Sequence, residues 1–197
     1  MTEYQWDKKL KIDTIGRDDY HADNFRYPYE PTPYSVLERL SESGYITSKS
    51  ILVDYGCGKG RVSFFMSSIL QCRSIGIEYD EPIFRQSMEN KSTFSKPMLV
   101  DFFCENAENF KIEDADSFYF FNPFDIKILT SVLGQIKSSF YSSPRKMYLF
   151  FYYPNDDYVA HLMTDYELTF VEEIDCHDLF EGNNKREKIM IFEISAE

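Results

Sequence analysis

The chain has 197 residues, enough for one domain to bury a core without disulfide or metal staples. Its apolar share of 43% and aromatic share of 17% exclude a disordered polypeptide, and the rings are nearly all Phe and Tyr, with Trp6 alone of its kind. The 21 basic and 33 acidic residues give a formal net charge of −12, which repels phosphate backbones and argues against nucleic acid as a partner.

In chain order, the residues through Asp18-Asp19-Tyr20 are polar and show no clear period. We therefore expect residues 1–28 to form an N-terminal arm over the surface of a single domain spanning 29–197. Tyr27-Pro28-Tyr29-Glu30-Pro31-Thr32-Pro33-Tyr34 reads as extended, since residues before proline avoid the helical region. It leads into a helix with Thr32 as N-cap, Pro33 at its first position, an apolar face of Val36, Leu37 and Leu40, and Gly44 at its end. Ser50 to Asp54 reads as a buried strand, followed by a glycine loop and a helix with Val62, Phe65, Met66 and Ile69 on one face. A second strand runs from Ser74 to Glu78, and Asp80 and Pro82 open the next helix. Met98 to Cys104 and Phe118 to Phe121 give two further strands, and Ile126, Leu129, Leu133 and Ile136 mark a helix. Met147 to Tyr152 is a fifth strand, followed by a helix around Val159 to Met163. Leu168 to Ile174 and Lys188 to Ile194 both read as strands with only a polar, turn-rich segment between them, which predicts antiparallel pairing. The expected class is α/β: a doubly wound, mostly parallel seven-stranded sheet closed by an antiparallel C-terminal hairpin.

Cys57, Cys72, Cys104 and Cys176 form no C-x-x-C pair, and no signal peptide or long apolar span stands out. Reduced thiols, a cytoplasmic location and no membrane association are the expectations. His21, His161 and His177 show no metal-ligand spacing, so no metal is expected. The one basic cluster, Lys185-Arg186-Glu187-Lys188, reads as a solvated turn.

Asp54-Tyr55-Gly56-Cys57-Gly58-Lys59-Gly60, between a strand and a helix, is a cradle for a nucleotide-like ligand. A dinucleotide site needs G-x-G-x-x-G, but the sixth position counted from Gly56 is Arg61, and the third glycine falls at Gly60. Asp54 before the first glycine would disfavour a pyrophosphate and suits a cationic aminoacyl group. These features count against an NAD-dependent oxidoreductase.

The loop resembles motif I of the class I S-adenosylmethionine-dependent methyltransferases, whose fold is Rossmann-like, and the resemblance continues over nearly the whole chain from Tyr29. It implies S-adenosyl-L-methionine as cofactor, held by Asp54, Gly56, Cys57, Gly58 and Gly60, with Tyr79 beside them. It implies that Glu78 binds the ribose hydroxyls, a task suited to a carboxylate facing a vicinal diol. Asn106-Ala107 matches the pair that contacts adenine in that family. Asn122-Pro123-Phe124-Asp125 resembles motif IV of the amino-group methyltransferases, lacking one of its two prolines. On that resemblance Asn122 contacts the cofactor side and orients the acceptor nitrogen as the catalytic residue; the alternative is a helix start with Asn122 as N-cap and Phe124 buried. Asp125, Tyr152 and Tyr153 are within the range of groups able to take a proton. Tyr29-Glu30-Pro31-Thr32 together with Phe121 to Phe124 also resembles the class I histone-lysine methyltransferases, which implies cofactor contacts from Tyr29 and Thr32. Tyr20, Phe25, Tyr27, Tyr29 and Tyr34 are expected either to cover the cofactor as a lid or to pack on the sheet edge. The resemblance implies methyl transfer to a nitrogen of a small-molecule or protein substrate; the alternative is a non-catalytic cofactor-binding module.

Overall fold

The computed structural model describes residues 1–17, 29–182 and 184–195. Seven strands, β1 (Ile51–Tyr55), β2 (Arg73–Glu78), β3 (Val100–Cys104), β4 (Ser117–Phe120), β5 (Met147–Tyr152), β6 (Thr169–Asp175) and β7 (Lys188–Ile194), form one sheet in the order β3-β2-β1-β4-β5-β7-β6. The pairings from β3 through β5 are parallel, while β7 runs antiparallel to both β5 and β6. The expected C-terminal hairpin is present, and its outer strand β6 closes the sheet edge.

Side chains alternate across the sheet because successive Cβ atoms point to opposite faces. Leu52, Tyr119, Phe150 and Tyr152 join one core with Leu37, Phe64 and Phe65. Val53, Phe118, Phe120 and Phe151 join the other with Leu129, Leu133 and Tyr158. Helices α1 (Glu3–Leu10), α2 (Tyr34–Glu42), α3 (Arg61–Leu70) and α4 (Glu81–Thr93) supply the first layer; α5 (Ile126–Ser142) and α6 (Asp156–Thr164) supply the second. Burial on both faces explains why β4 and β5 read as unbroken apolar runs. The sheet order reverses between β1 and β4, and their following helices leave towards opposite faces. Such a switch point opens a crevice beyond the strands' C-terminal ends.

The N-terminal residues differ from expectation. Thr2 and Gln5 form a reciprocal capping box that starts helix α1, and Trp6 and Leu10 are buried in the first core. Trp6 packs edge-on against Phe65 at 4.9 Å and stacks with Tyr34 at 5.7 Å, so Tyr34 belongs to the core and not to a lid. Of the other expected lid rings, Tyr29 lines the cavity described below, and Tyr20, Phe25 and Tyr27 lie outside the described residues. Pro33, not Thr32, occupies the N-cap of α2; the Thr32 hydroxyl turns inward to Tyr119. Ile69, expected on the apolar face of α3, is 41% exposed, while its neighbour Leu70 packs against the first core. Asp80 caps α4 as expected, accepting from the Ile83 amide at 2.9 Å.

Candidate functional site

The loop after β1 is tight for a steric reason. Gly56 has φ +70°, and a Cβ there would lie 2.4 Å from the Pro123 side chain; Gly58 has φ +55°, and its Cβ would fall 2.2 Å from the Tyr29 ring. Both positions exclude a larger residue. The loop amides are spent on the protein itself: Gly56 and Cys57 both donate to the Ile77 carbonyl, at 2.9 and 3.0 Å, and Gly60 donates to Cys57 O at 2.8 Å. Gly58 N–H donates to Glu78 Oε2 at 3.0 Å. A loop that presents phosphate-binding amides would leave these donors pointing outward.

Asp54, at the end of β1, is 3% exposed, and its Oδ2 has no hydrogen-bond partner. Burial, and secondly the neighbouring Glu78 carboxylate, pushes its carboxyl up to about 8. Glu78, at the end of β2, is also buried and raised by desolvation, although the Asp80 and Gly58 amides it accepts oppose that shift. Its Oε1 accepts from Asp80 N–H at 2.9 Å, and the Tyr79 amide is a further backbone donor to the carboxylate.

These groups line a cavity at the switch point, together with Tyr29, Thr32, Gly56, Cys57, Tyr79, Asn106, Ala107 and Asn122. Gly58 and Gly60 do not reach its wall; they shape the loop behind it. Asn106 precedes the short 3₁₀ turn Ala107–Asn109 and sits on the cavity rim. Sequence reasoning missed several wall residues, notably Glu30, Glu105, Glu108, Tyr119 and Phe121. Six carboxylates face this cavity (Glu30, Asp54, Glu78, Asp80, Glu105 and Glu108), and among the described lining residues there is no Lys, Arg or His. Its electrostatics suit a cation and oppose a pyrophosphate.

Arg61 explains why the dinucleotide pattern fails. At 3% exposure, it donates through Nε to Thr14 Oγ1 at 2.7 Å and through Nη1 to the Thr32 carbonyl at 3.2 Å, and it pairs with Glu3. Asp7 accepts from Thr14 N–H and from the Thr14 hydroxyl at 2.6 and 2.8 Å, and Tyr34 also donates to it. Tyr29 donates to Thr14 O at 2.7 Å. The guanidinium thus ties α1 and the segment around Thr14 to the cavity wall at Thr32, whose hydroxyl lies 3.0 Å from that of Tyr119. Asn122, after β4, has φ +41° and an engaged amide: Nδ2 donates to Tyr153 O at 2.6 Å, and Oδ1 accepts from Asn155 N–H at 3.1 Å. The N-cap of α5 is Asp125, so the helix-start alternative for Asn122 is corrected, although Phe124 is buried as that alternative required. Tyr152 donates its proton to Glu187 and therefore does not accept one.

The sheet order 3-2-1-4-5-7-6, the glycine loop after β1 and the cavity at the switch point define the fold of the class I S-adenosylmethionine-dependent methyltransferases. Within that fold, the chain is similar to an RNA methyltransferase from Salinibacter ruber in complex with S-adenosyl-L-homocysteine, with a TM-score of 0.54 and 20% identity over 85% of this chain and 95% of that one. It is also similar to magnesium protoporphyrin IX methyltransferase from Synechocystis with bound SAM, at a TM-score of 0.57 and 13% identity over 83% and 77% of the two chains. A protein-lysine N-methyltransferase from Saccharolobus islandicus is 30% identical over 64 residues, which are 32% of this chain and 40% of that enzyme's length. No protein-family model matches.

Proposed function

We propose that the protein binds S-adenosyl-L-methionine in the switch-point cavity and transfers its methyl group to a nitrogen of a protein or small-molecule acceptor. The observation that carries the proposal is the buried Asp54 carboxyl with a partnerless Oδ2, in a cavity walled by carboxylates and, among the described residues, lacking basic side chains. A ligand bearing an ammonium and a sulfonium fits that donor set; a dinucleotide does not. Asp54 would face the ammonium, Glu78 the ribose diol through its carboxylate, and Asn106 with Ala107 the adenine edge. Tyr29 and Thr32 would close the cavity from the opposite side, with Gly56 and Cys57 at its floor and Tyr79 at its rim. The cofactor supplies a methyl carbon already activated by a sulfonium. What remains for the chain is to hold a neutral nitrogen in line with it, and positioning of that kind supplies most of the rate. Asn122 fixes the β4 and β5 loops against each other and keeps one Oδ1 lone pair for the acceptor.

A net charge of −12 supports a protein or small-molecule acceptor over nucleic acid, although the Salinibacter similarity is to an RNA enzyme and weighs the other way. The four free cysteines support a reducing, cytoplasmic setting; among the described residues no helix is long and apolar enough to cross a membrane. Calorimetry with S-adenosylmethionine, S-adenosylhomocysteine and NAD tests the cofactor: the first two should bind and the third should not. Binding of NAD alone, or of none of them, sinks the proposal. Incubation with labelled methyl donor and cell extract should then label an acceptor; tight binding without transfer would identify a non-catalytic module.

A further inference from the structure

A second cavity adjoins the first, and Glu30, Phe121 and Asn122 line both. Its remaining wall combines the rings of Tyr152, Tyr153 and Phe180 with Pro33, Asn155, two arginines (Arg17 and Arg186) and the carboxylate of Glu187. The Phe121 ring lies 4.7 Å from Tyr152 and 6.4 Å from Tyr153, and the two tyrosines are 6.1 Å apart. Asn122 and Tyr153 are both non-glycine residues with positive φ, +41° and +50°, at the ends of adjacent parallel strands, and Asn122 Nδ2 bonds the Tyr153 carbonyl. Two residues in this sparsely populated conformation, so tied, hold the Tyr153 ring in a fixed place. The wall already takes a cation: the Arg186 guanidinium sits 4.6 Å over the Tyr153 ring. Arg17, at the other side, is paired with Glu30 at 3.4 Å.

Glu187 is half-buried, and its Oε2 accepts from Tyr152 O–H at 2.6 Å, which leaves Oε1 for another donor. The titratable and charged groups around it are Tyr152, the Cys176 thiol, Arg186, Arg17 and Glu30. Burial holds Tyr152 and Cys176 protonated, and Glu187 and Glu30 are the carboxylates that line this cavity among the described residues.

Resting on the proposed cofactor, we propose that this second cavity is the acceptor compartment, that it takes an aliphatic ammonium, and that Glu187 is the group that deprotonates it. The aromatic walls bind the cation by ring-face attraction, and Glu187 both pairs with it and receives its proton. The ammonium passes one proton to the Glu187 carboxylate, which becomes a neutral carboxyl. The nitrogen lone pair so released bonds to the methyl carbon, the carbon–sulfur bond breaks with its electron pair remaining on sulfur, and the positive charge passes from sulfur to the methylated nitrogen. Glu187 then returns its proton to solvent. Tyr152 is a positioning residue for that carboxylate.

The test uses the full chain with labelled S-adenosylmethionine and three probes: poly-L-lysine, spermidine and unmodified tRNA. Label should enter poly-L-lysine or spermidine, the two distinguishing a protein side chain from a free amine, and not the tRNA. In Glu187→Gln, which keeps an acceptor for Tyr152, cofactor affinity should stay within twofold while kcat/KM for the amine falls at least tenfold at pH 7. That variant depends on amine already neutral in solution, so its kcat/KM should climb about tenfold per pH unit from 7 to 9, with an amine pKa near 10.4, while the wild type stays flat. Label on tRNA alone overturns the acceptor class, and an unchanged rate and pH profile in Glu187→Gln overturns the proton acceptor. Absence of label on every probe with cofactor bound overturns the inference while leaving cofactor binding intact. Failure to bind cofactor removes the reading beneath it.

Discussion

Asp54→Asn should make the ligand-free protein more stable near pH 8 and its cofactor binding weaker. Asp54 is 3% exposed, and burial together with Glu78 places its folded-state pKa at about 8. In the unfolded chain an aspartate titrates near 3.9. The folded state therefore binds the proton more tightly. The stabilising contribution of the neutral carboxyl is fully present below about pH 4, declines as pH rises towards 8 and is flat above. Each unit in that window is worth at most about 1.4 kcal/mol. Relaxation around the ionised carboxylate brings the whole effect to about a few kcal/mol. The asparagine does not titrate, so its stability curve should lack that slope. Thermal melts from pH 4.5 to 8.5 should show the variant gaining on the wild type by about 2–4 °C per kcal/mol as pH rises. A wild-type-minus-variant difference independent of pH would refute the raised pKa. Calorimetry supplies the second half: a cationic ligand beside Asp54 favours the carboxylate, so wild-type binding at pH 7 should release protons, visible as a dependence of the heat on buffer ionisation. The variant should bind S-adenosylhomocysteine at least tenfold more weakly and without that release. Equal affinity in the two proteins would remove Asp54 from the site.

Glu78→Ala should cost stability as well as affinity, since it strands the Gly58 and Asp80 amides at roughly 1–3 kcal/mol each. Glu78→Gln should keep most of the melting temperature and still lose about tenfold in cofactor affinity; the pair of melts and titrations separates loop support from ligand contact. Arg61→Met should destabilise by about 1–3 kcal/mol by leaving the Thr14 hydroxyl and the Thr32 carbonyl without their buried donor, the half-exposed Glu3 being rehydrated. Hydrogen exchange should then speed up first in residues 3–14, and uniform exchange across the chain would contradict the tethering role. Gly56→Ala should abolish cofactor binding, because its Cβ would meet Pro123 at 2.4 Å with φ +70°; wild-type affinity in that variant would show the loop to be softer than its packing implies.

How much of this was legible depended on whether local pattern or tertiary contact decided each feature. β5 and β7 fall where their apolar runs place them, Met147–Tyr152 and Lys188–Ile194, because unbroken β-branched and aromatic segments admit few alternatives. Ten of the twelve expected cofactor residues line one cavity, since strand ends and loop spacing follow from a parallel sheet. Helix α1 was overlooked although Thr2-x-x-Gln5 is a capping box and Trp6 and Leu10 are one turn apart. Eight residues give too short a period to stand out from polar surroundings. Thr32 was misplaced as a cap because its hydroxyl is claimed by Tyr119, which is 87 residues away in the chain. The second cavity was least legible. Glu187 lies in the cluster read as a solvated turn, and nothing local distinguishes it from Lys185 or Arg186. Its place is set by the antiparallel register of β7 on β5, in which Tyr152 faces Ile189 and Glu187, two residues earlier, comes within reach of the Tyr152 hydroxyl. A carboxylate brought to the chemistry only by strand register carries no motif. On the proposed reading, cofactor recognition lies in one loop and two strand ends, whereas the acceptor side is assembled from the ends of β4 and β5 and the segment before β7. The same fold can therefore keep its donor site and change its acceptor by altering three loops.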